Sequence, residues 1–132
     1  MSLVVDSSAV MAFLLDEPEA TAIELALADS EPVVMSAATF VETSMVAERR
    51  LGAAGALAFD RLRRVAEIEI VPVDEDLAAD AVDAWRRFGK GRHPAKLNFG
   101  DCFSYALTSR VGGALLCVGD DFPLTDIEVL PL

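Results

Sequence analysis

The sequence predicts an α/β protein, a three-layer α/β/α sandwich around a mostly parallel central sheet of four to five strands. Three observations carry this reading. Leu3-Val4-Val5 and Ala114-Leu115-Leu116-Cys117-Val118 are apolar throughout, as strands buried on both faces of a parallel sheet must be. Strand-like runs alternate with segments of helical periodicity, which right-handed crossovers turn into parallel pairs covered on both sides. Both apolar runs end on carboxylates, Asp6 and Asp120-Asp121, at the strand ends where open parallel sheets gather their ligands.

Each element has its own signal. After Asp6, Ser7 or Ser8 can cap a helix through Leu15 that carries Ala9, Val10, Met11, Phe13 and Leu14. Asp16-Glu17-Pro18-Glu19 ends it and begins a second helix reaching about Ala28, with Pro18 in its first turn and acids at the positive end of its dipole. Glu31-Pro32 is a turn and Val33-Val34-Met35 a short strand. Ser36 caps a third helix from Ala37 to about Leu51, with Phe40, Ala47 and Leu51 facing inward. Gly52 and Gly55 bracket a turn before a fourth helix, Ala56 to Val65, and Ile68 to Val73 forms a strand whose Pro72 suits a sheet edge. Asp74 caps a helix through Phe88 with Ala78, Ala81, Val82 and Trp85 as its core stripe. A basic loop, Gly89 to Pro94, leads to a last helix, Asn98 to Arg110, that buries Phe99, Cys102, Phe103 and Ala106 and ends at Gly112-Gly113. The strand from Ala114 to Val118 follows, and Ile127-Glu128-Val129-Leu130 alternates as a short edge strand.

The 132 residues fit one domain, and 53% hydrophobic content supplies a continuous core. No apolar run approaches the ~18 residues of a membrane span, and the N-terminus lacks the pattern of a signal peptide. A cytoplasmic location is expected. Cys102 and Cys117 are not spaced as C-x-x-C and read as reduced, core-filling thiols. A net charge of −11 argues against a large nonspecific nucleic-acid surface. It leaves room for a nuclease, because a carboxylate site is acidic until a divalent ion inverts the local sign.

Asp6 at a strand tip, Glu42 and Asp101 at helix starts and Asp120-Asp121 at another strand tip all fall at one kind of place. Solvated acids scatter over helix exteriors, as Asp80 and Asp83 do; these four abut apolar strands. Clustered carboxylates repel one another and rise in pKa unless a cation neutralises them. Mg²⁺ or Mn²⁺ suits such oxygen donors and leaves coordination room for phosphates. Ions so held support hydrolysis of a phosphodiester by an activated water.

Val5-Asp6-Ser7-Ser8-Ala9, Val41-Glu42, Leu97-Asn98-Phe99-Gly100-Asp101-Cys102-Phe103 and Gly119-Asp120-Asp121-Phe122 with Thr125-Asp126-Ile127 together resemble the PIN-domain ribonuclease toxins of VapC type, in order and over nearly the whole chain. The resemblance implies a PIN-like fold, a metal-dependent endoribonuclease acting on structured RNA such as tRNA or rRNA, a VapB-type antitoxin and a homodimer. By position, Asp6, Glu42 and Asp101 match the first three family acids. The family's fourth acid is the Asp before the Phe, so Asp121 matches it and Asp120 is the variable neighbour, with Ser8 as an accessory residue. Ser7 stands where the family often has threonine. An antitoxin held this way would pack apolar residues into a helix-lined groove and reach the carboxylates with a basic side chain; Met11, Phe13, Leu14 and Met45 would serve that groove or the core.

Lys90, Arg92 and His93 form a basic loop that either grips phosphate or is simply solvated, and a lone histidine carries little weight as an acid or base. Arg49, two turns beyond Glu42, is expected to pair with an acid, with substrate contact as the alternative. Trp85 and Tyr105 read as core or interface residues rather than base-stacking platforms, and core is the expectation. Other classes fit less well. A phosphoacceptor domain needs a lysine at a late strand tip, whereas neither Lys90 nor Lys96 follows a strand. A haloacid-dehalogenase-like phosphatase needs a second aspartate two residues after Asp6, where Ser8 stands. A catalytically silent PIN scaffold binding RNA or protein is the alternative within the fold.

Overall fold

The computed structural model describes residues 2–132. Five strands, β1 (Leu3–Val5), β2 (Val33–Ser36), β3 (Glu69–Val71), β4 (Ala114–Leu116) and β5 (Glu128–Val129), form one sheet in the order β3-β2-β1-β4-β5, and every pairing is parallel. The helices are α1 (Ser7–Leu14), α2 (Ala20–Asp29), α3 (Ala37–Val65), α4 (Glu75–Phe88) and α5 (Phe99–Val111). A short 3₁₀ turn, Phe122–Leu124, precedes β5.

Alternation along the central strands sorts the core into two layers. Leu3 and Val5 of β1, Val33 and Met35 of β2 and Leu116 of β4 pack with Val10, Ile23, Ala47 and Phe59, so α1, α2 and α3 cover one face. Val4, Val34 and Leu115 pack with Leu77, Ala81, Tyr105 and Leu107, so α4 and α5 cover the other. This is the three-layer, parallel architecture the sequence predicts. β3, which Pro72 follows, lies at one edge and β5 at the other.

Several elements depart from the sequence reading, each for a local reason. Asp6, not Ser7 or Ser8, is the N-cap of α1 and accepts from the Ser8 amide. Pro18 stands in a turn before α2 and outside the helix. The segment from Ala37 to Val65 is interrupted only at Gly52, whose backbone (φ 67°, ψ −154°) kinks the helix; one residue with positive φ does what a longer turn was expected to do. Gly55 lies inside the second half, where an added Cβ would stand 2.3 Å from the Ala47 carbonyl oxygen. Leu51, expected inside, is exposed.

The buried stripe of α4 is Leu77, Ala81, Ala84 and Phe88. Val82 and Trp85, expected in the core, are each 46% exposed, and Phe99 at the start of α5 is 81% exposed. Tyr105 is buried as expected, and so are the free thiols of Cys102 and Cys117. Burial pushes those thiols up, to about 11 and about 12 respectively. No helix among the described residues is long and apolar enough to cross a membrane.

Candidate active site

Asp6 leaves β1 at the carboxyl edge of the sheet and is buried. Its amide donates to the Leu116 carbonyl at 3.0 Å, so the residue is still tied to β4 where the strand ends. Its carboxylate is held on both oxygens. Oδ2 accepts from the Ser8 amide at 3.1 Å and the Ser8 hydroxyl at 2.7 Å, while Oδ1 accepts from the Ser104 hydroxyl at 2.6 Å. Ser8 Oγ in turn accepts from the Val118 amide at 3.0 Å, tying the segment after β4 to the start of α1. Three donors hold the buried carboxylate in one orientation.

Ser36 caps α3 through a 3.1 Å bond from the Ala38 amide, which starts the helix at the tip of β2 and places Glu42 in its second turn. Burial raises the Glu42 carboxyl above its ordinary range, hydrogen bonding with the Ser7 side chain opposes this, and the Asp6 charge adds to the rise. A Cβ built on Gly100 would stand 2.3 Å from Glu42 Oε2 and 2.7 Å from Oε1. The Glu42 carboxylate therefore rests against the backbone of α5, one residue before Asp101.

Asp101 is fixed by a capping box. Its Oδ2 accepts from the Asn98 amide at 3.0 Å, and Asn98 Oδ1 accepts from the Asp101 amide at 2.9 Å. Burial pushes its carboxyl up to about 6; the Asn98 hydrogen bond opposes this, and the charges of Asp6, Glu42 and Asp121 reinforce it. Asp121 lies half-buried after β4 and its charge reaches Asp101, whereas Asp120 is exposed and does not figure among the charges acting there. Four acids from four segments thus share one field at the sheet's carboxyl edge.

Two residues that sequence reasoning passed over complete the setting. Ser104 bonds Asp6, and Thr39 Oγ1 lies 3.3 Å from Ser104 Oγ, both buried. Each stands one helical turn from an acid, Thr39 before Glu42 and Ser104 after Asp101, and that i, i+3 spacing was the available signal.

The basic residues lie elsewhere. Lys90 and Arg92 are exposed on the loop between α4 and α5. Arg92 stacks its guanidinium 4.7 Å from the centre of the Trp85 ring. His93 accepts from the Ala95 amide at Nδ1, 3.0 Å away, and meets Phe88 edge-on, so it shapes the loop. Arg49 is exposed and makes no ion pair among the described residues, so the expected pairing with an acid does not form. Met11 belongs to the core, Phe13 and Leu14 are half-buried against it, and Met45 is exposed.

Every donor at the cluster is a hard carboxylate or hydroxyl oxygen, the chemistry Mg²⁺ and Mn²⁺ take. Among the described residues no three acidic, histidine or cysteine side chains already form an ion cage. Mg²⁺ does not require one, because it is usually held by one or two carboxylates and keeps its remaining positions for water and phosphate. Burial, with a lesser contribution from neighbouring acids, raises the Asp101 and Glu42 carboxyls, and a divalent ion would offset both penalties, so the residues fit such an ion.

A parallel α/β sheet carrying four acids at its carboxyl edge defines a class of acid-site α/β proteins. The PIN-domain family matches residues 3–128. A "Ribonuclease VapC" of Mycolicibacterium smegmatis is 47% identical over 128 residues, covering 97% of this chain and 99% of that protein. "Ribonuclease VapC30" of Mycobacterium tuberculosis is 43% identical over 130 residues, covering 98% and 99%. Among solved structures, Mycobacterium tuberculosis VapC20, described as a Sarcin-Ricin loop cleaving toxin, superposes with a TM-score of 0.77 at 23% identity over 98% of this chain and 99% of that one. DNA-bound VapBC from Salmonella typhimurium does so with a TM-score of 0.73 at 14% identity over 98% and 97%. These two likenesses speak for the fold. The chain belongs to the PIN-domain family, among the VapC ribonucleases.

Proposed function

We propose that the protein is a divalent-metal-dependent endoribonuclease, the toxin of a VapBC-type pair, hydrolysing phosphodiester bonds in structured RNA such as tRNA or rRNA. The observation that supports it most is the convergence of Asp6, Glu42, Asp101 and Asp121, with Asp101 lifted to about 6 by burial first and by the charges of the other three in addition. Asp6, Glu42, Asp101 and Asp121 are the residues that would hold Mg²⁺ or Mn²⁺. Such an ion, when bound, neutralises phosphate charge and makes water a better nucleophile near neutral pH.

The chain's own groups do the rest. Ser8 and Ser104 fix the Asp6 carboxylate, so no reorientation is needed when substrate arrives. Glu42, raised by burial, is placed to take the proton of the attacking water as its oxygen joins phosphorus and the opposite P–O bond breaks. Lys90 and Arg92, with Arg49 and the loop carrying His93, supply the positive surface that RNA phosphates require on a chain of net charge −11. A VapB-type antitoxin partner is supported by the solved neighbours that are toxin–antitoxin complexes. A homodimer and a cytoplasmic location belong to the same reading.

The experiment is cleavage of a small-RNA pool by folded, partner-free protein with Mg²⁺ or Mn²⁺, with EDTA, and with Asp6→Ala. Discrete fragments that vanish with EDTA and with the variant are expected. An inactive wild-type protein of native circular dichroism would move the reading to a silent scaffold.

A further inference from the structure

The chain between β4 and β5 carries Asp121, and it is pinned on both sides of that residue. On the near side the Val118 amide donates to the Ser8 hydroxyl at 3.0 Å. On the far side Asp126 accepts from the Tyr105 hydroxyl on Oδ1 and from Arg87 Nη2 on Oδ2, the latter at 2.9 Å. We infer that Tyr105, with Arg87, is a positioning residue for the fourth acid, holding this strap through Asp126 so that the Asp121 carboxylate stays turned toward Asp101. The inference rests on the metal-dependent reading for its consequence and extends it to residues outside the acid cluster.

Three features support it. The strap has little slack. Asp121 opens the 3₁₀ turn, which is closed by the Leu124 amide on the Asp121 carbonyl at 3.2 Å and by the Thr125 amide and hydroxyl on the Phe122 carbonyl at 3.0 and 2.6 Å. A displacement at Asp126 therefore passes along hydrogen-bonded backbone to Asp121. Buried Phe122 fixes the depth of the turn, yet one ring leaves it free to pivot, and the Asp126 pin removes that freedom. The pin is also costly to break. Tyr105 is 4% exposed, and its hydroxyl donates to Asp126 while accepting from Arg87 Nη1 at 3.2 Å. A buried phenol deprived of Asp126 would keep an unpaired donor, a larger penalty than the loss of the exposed Arg87–Asp126 ion pair alone. Finally, the pin belongs to the helix that carries Asp101. Asp101, Ser104 and Tyr105 fall within two turns of α5, and they supply the third acid, the donor to Asp6 Oδ1 and the anchor of the Asp121 strap. One rigid element thereby gauges the separation of three acids.

Tyr105→Phe keeps the ring against Phe88 and removes only the hydroxyl, and Asp126→Ala removes the pin from its exposed side. Full-length protein carrying each change would be compared with wild type, and two readouts are expected to move in both. In EDTA, amide hydrogen exchange at Leu124 and Thr125 should speed up about tenfold beyond the change that β1 amides show for global stability. The Mg²⁺ dissociation constant, read from how the thermal midpoint climbs with ion concentration, should increase about tenfold. Adding either change to Asp121→Asn should weaken Mg²⁺ binding no further. Asp74→Asn, which breaks the ion pair with Arg110 at the other ends of α4 and α5, should lower stability and move neither readout. Unchanged exchange at Leu124 and Thr125 would overturn the pin. Faster exchange with unchanged Mg²⁺ affinity, or a loss of affinity that persists in Asp121→Asn, would overturn the positioning of Asp121 and leave the metal-dependent reading intact. A wild type that neither Mg²⁺ nor Mn²⁺ stabilises would remove the metal-dependent reading, while the exchange result would still decide the pin.

Discussion

The Ser104 hydroxyl donates to Asp6 Oδ1 at 2.6 Å, joining the second turn of α5 to the tip of β1 across 98 residues of chain. Ser104 is buried, so it acts through Asp6. Ser104→Ala removes a charge-assisted bond and should lower stability by about 2 kcal/mol in urea denaturation. A purely structural role would stop there. A positioning role adds a rise of about tenfold in the Mg²⁺ concentration giving half-maximal activity. An unchanged Mg²⁺ requirement would limit Ser104 to packing.

Gly100→Ala separates fold from function in the opposite sense. The new methyl would collide with the Glu42 carboxylate at 2.3 Å, the free end of a flexible side chain that can swing aside. Alanine also suits the first turn of a helix better than glycine. Thermal stability should hold or rise slightly, while displacing the carboxylate by an ångström or so lowers cleavage by about 100-fold. Full activity would show that Glu42 does not need its present position.

How far the sequence revealed this arrangement depends on which force set each residue. The acids were legible because each sits where an element ends, and an element's end can be read from the apolar run beside it. The inward face of α4 was not. Ala78, Val82 and Trp85 recur at the same helical spacing as Leu77, Ala81, Ala84 and Phe88, and periodicity does not choose between two apolar stripes. The expected stripe took Ala81 from the buried row and Ala78, Val82 and Trp85 from the other. Gly52 was visible as a break, yet a single φ of 67° is enough to make it. The bond from Ser104 to Asp6 was out of reach, since it depends on how α5 docks across the sheet.

Tyr105 anchors the segment beyond Asp121. Its hydroxyl donates to Asp126 Oδ1, Arg87 Nη1 donates to the same hydroxyl at 3.2 Å, and Arg87 Nη2 reaches Asp126 Oδ2 at 2.9 Å. Burial, aided by Asp126, pushes the phenol up to about 12. Being the only tyrosine, it can be followed by ultraviolet absorbance, and ionisation should begin only well above the ordinary range near 10. Tyr105→Phe keeps the ring against Phe88 and should cost about 1 kcal/mol for the lost hydrogen bonds. A phenol titrating at its ordinary value would show that the network is absent in solution.

Asp101 carries a stability cost that its proposed role explains. Its folded value of about 6 lies above the ordinary 3.8, so the folded state binds this proton more tightly than the unfolded chain does. The resulting stability is fully present below about 3.8 and is lost as pH rises through about 6. At pH 7 the full shift corresponds to about 3 kcal/mol of destabilisation, which solvent screening of a partly exposed carboxyl reduces to about 1–2 kcal/mol. Asp101→Asn keeps an oxygen to accept from the Asn98 amide and removes the charge. The metal-free variant should therefore be more stable than wild type at pH 7 by about that amount, and the difference should vanish near pH 4. Asp74 and Asp126, held below their ordinary range by Arg110 and by Tyr105, titrate alike in both proteins and cancel in the comparison. Mg²⁺ should stabilise wild type and do little for the variant, because only an ion that binds the folded cluster adds to its stability. Thermal denaturation at several pH values, with EDTA and with Mg²⁺, reads both effects. A variant no more stable than wild type in EDTA at pH 7 would mean that neither burial nor the neighbouring acids penalise the Asp101 charge in the folded protein.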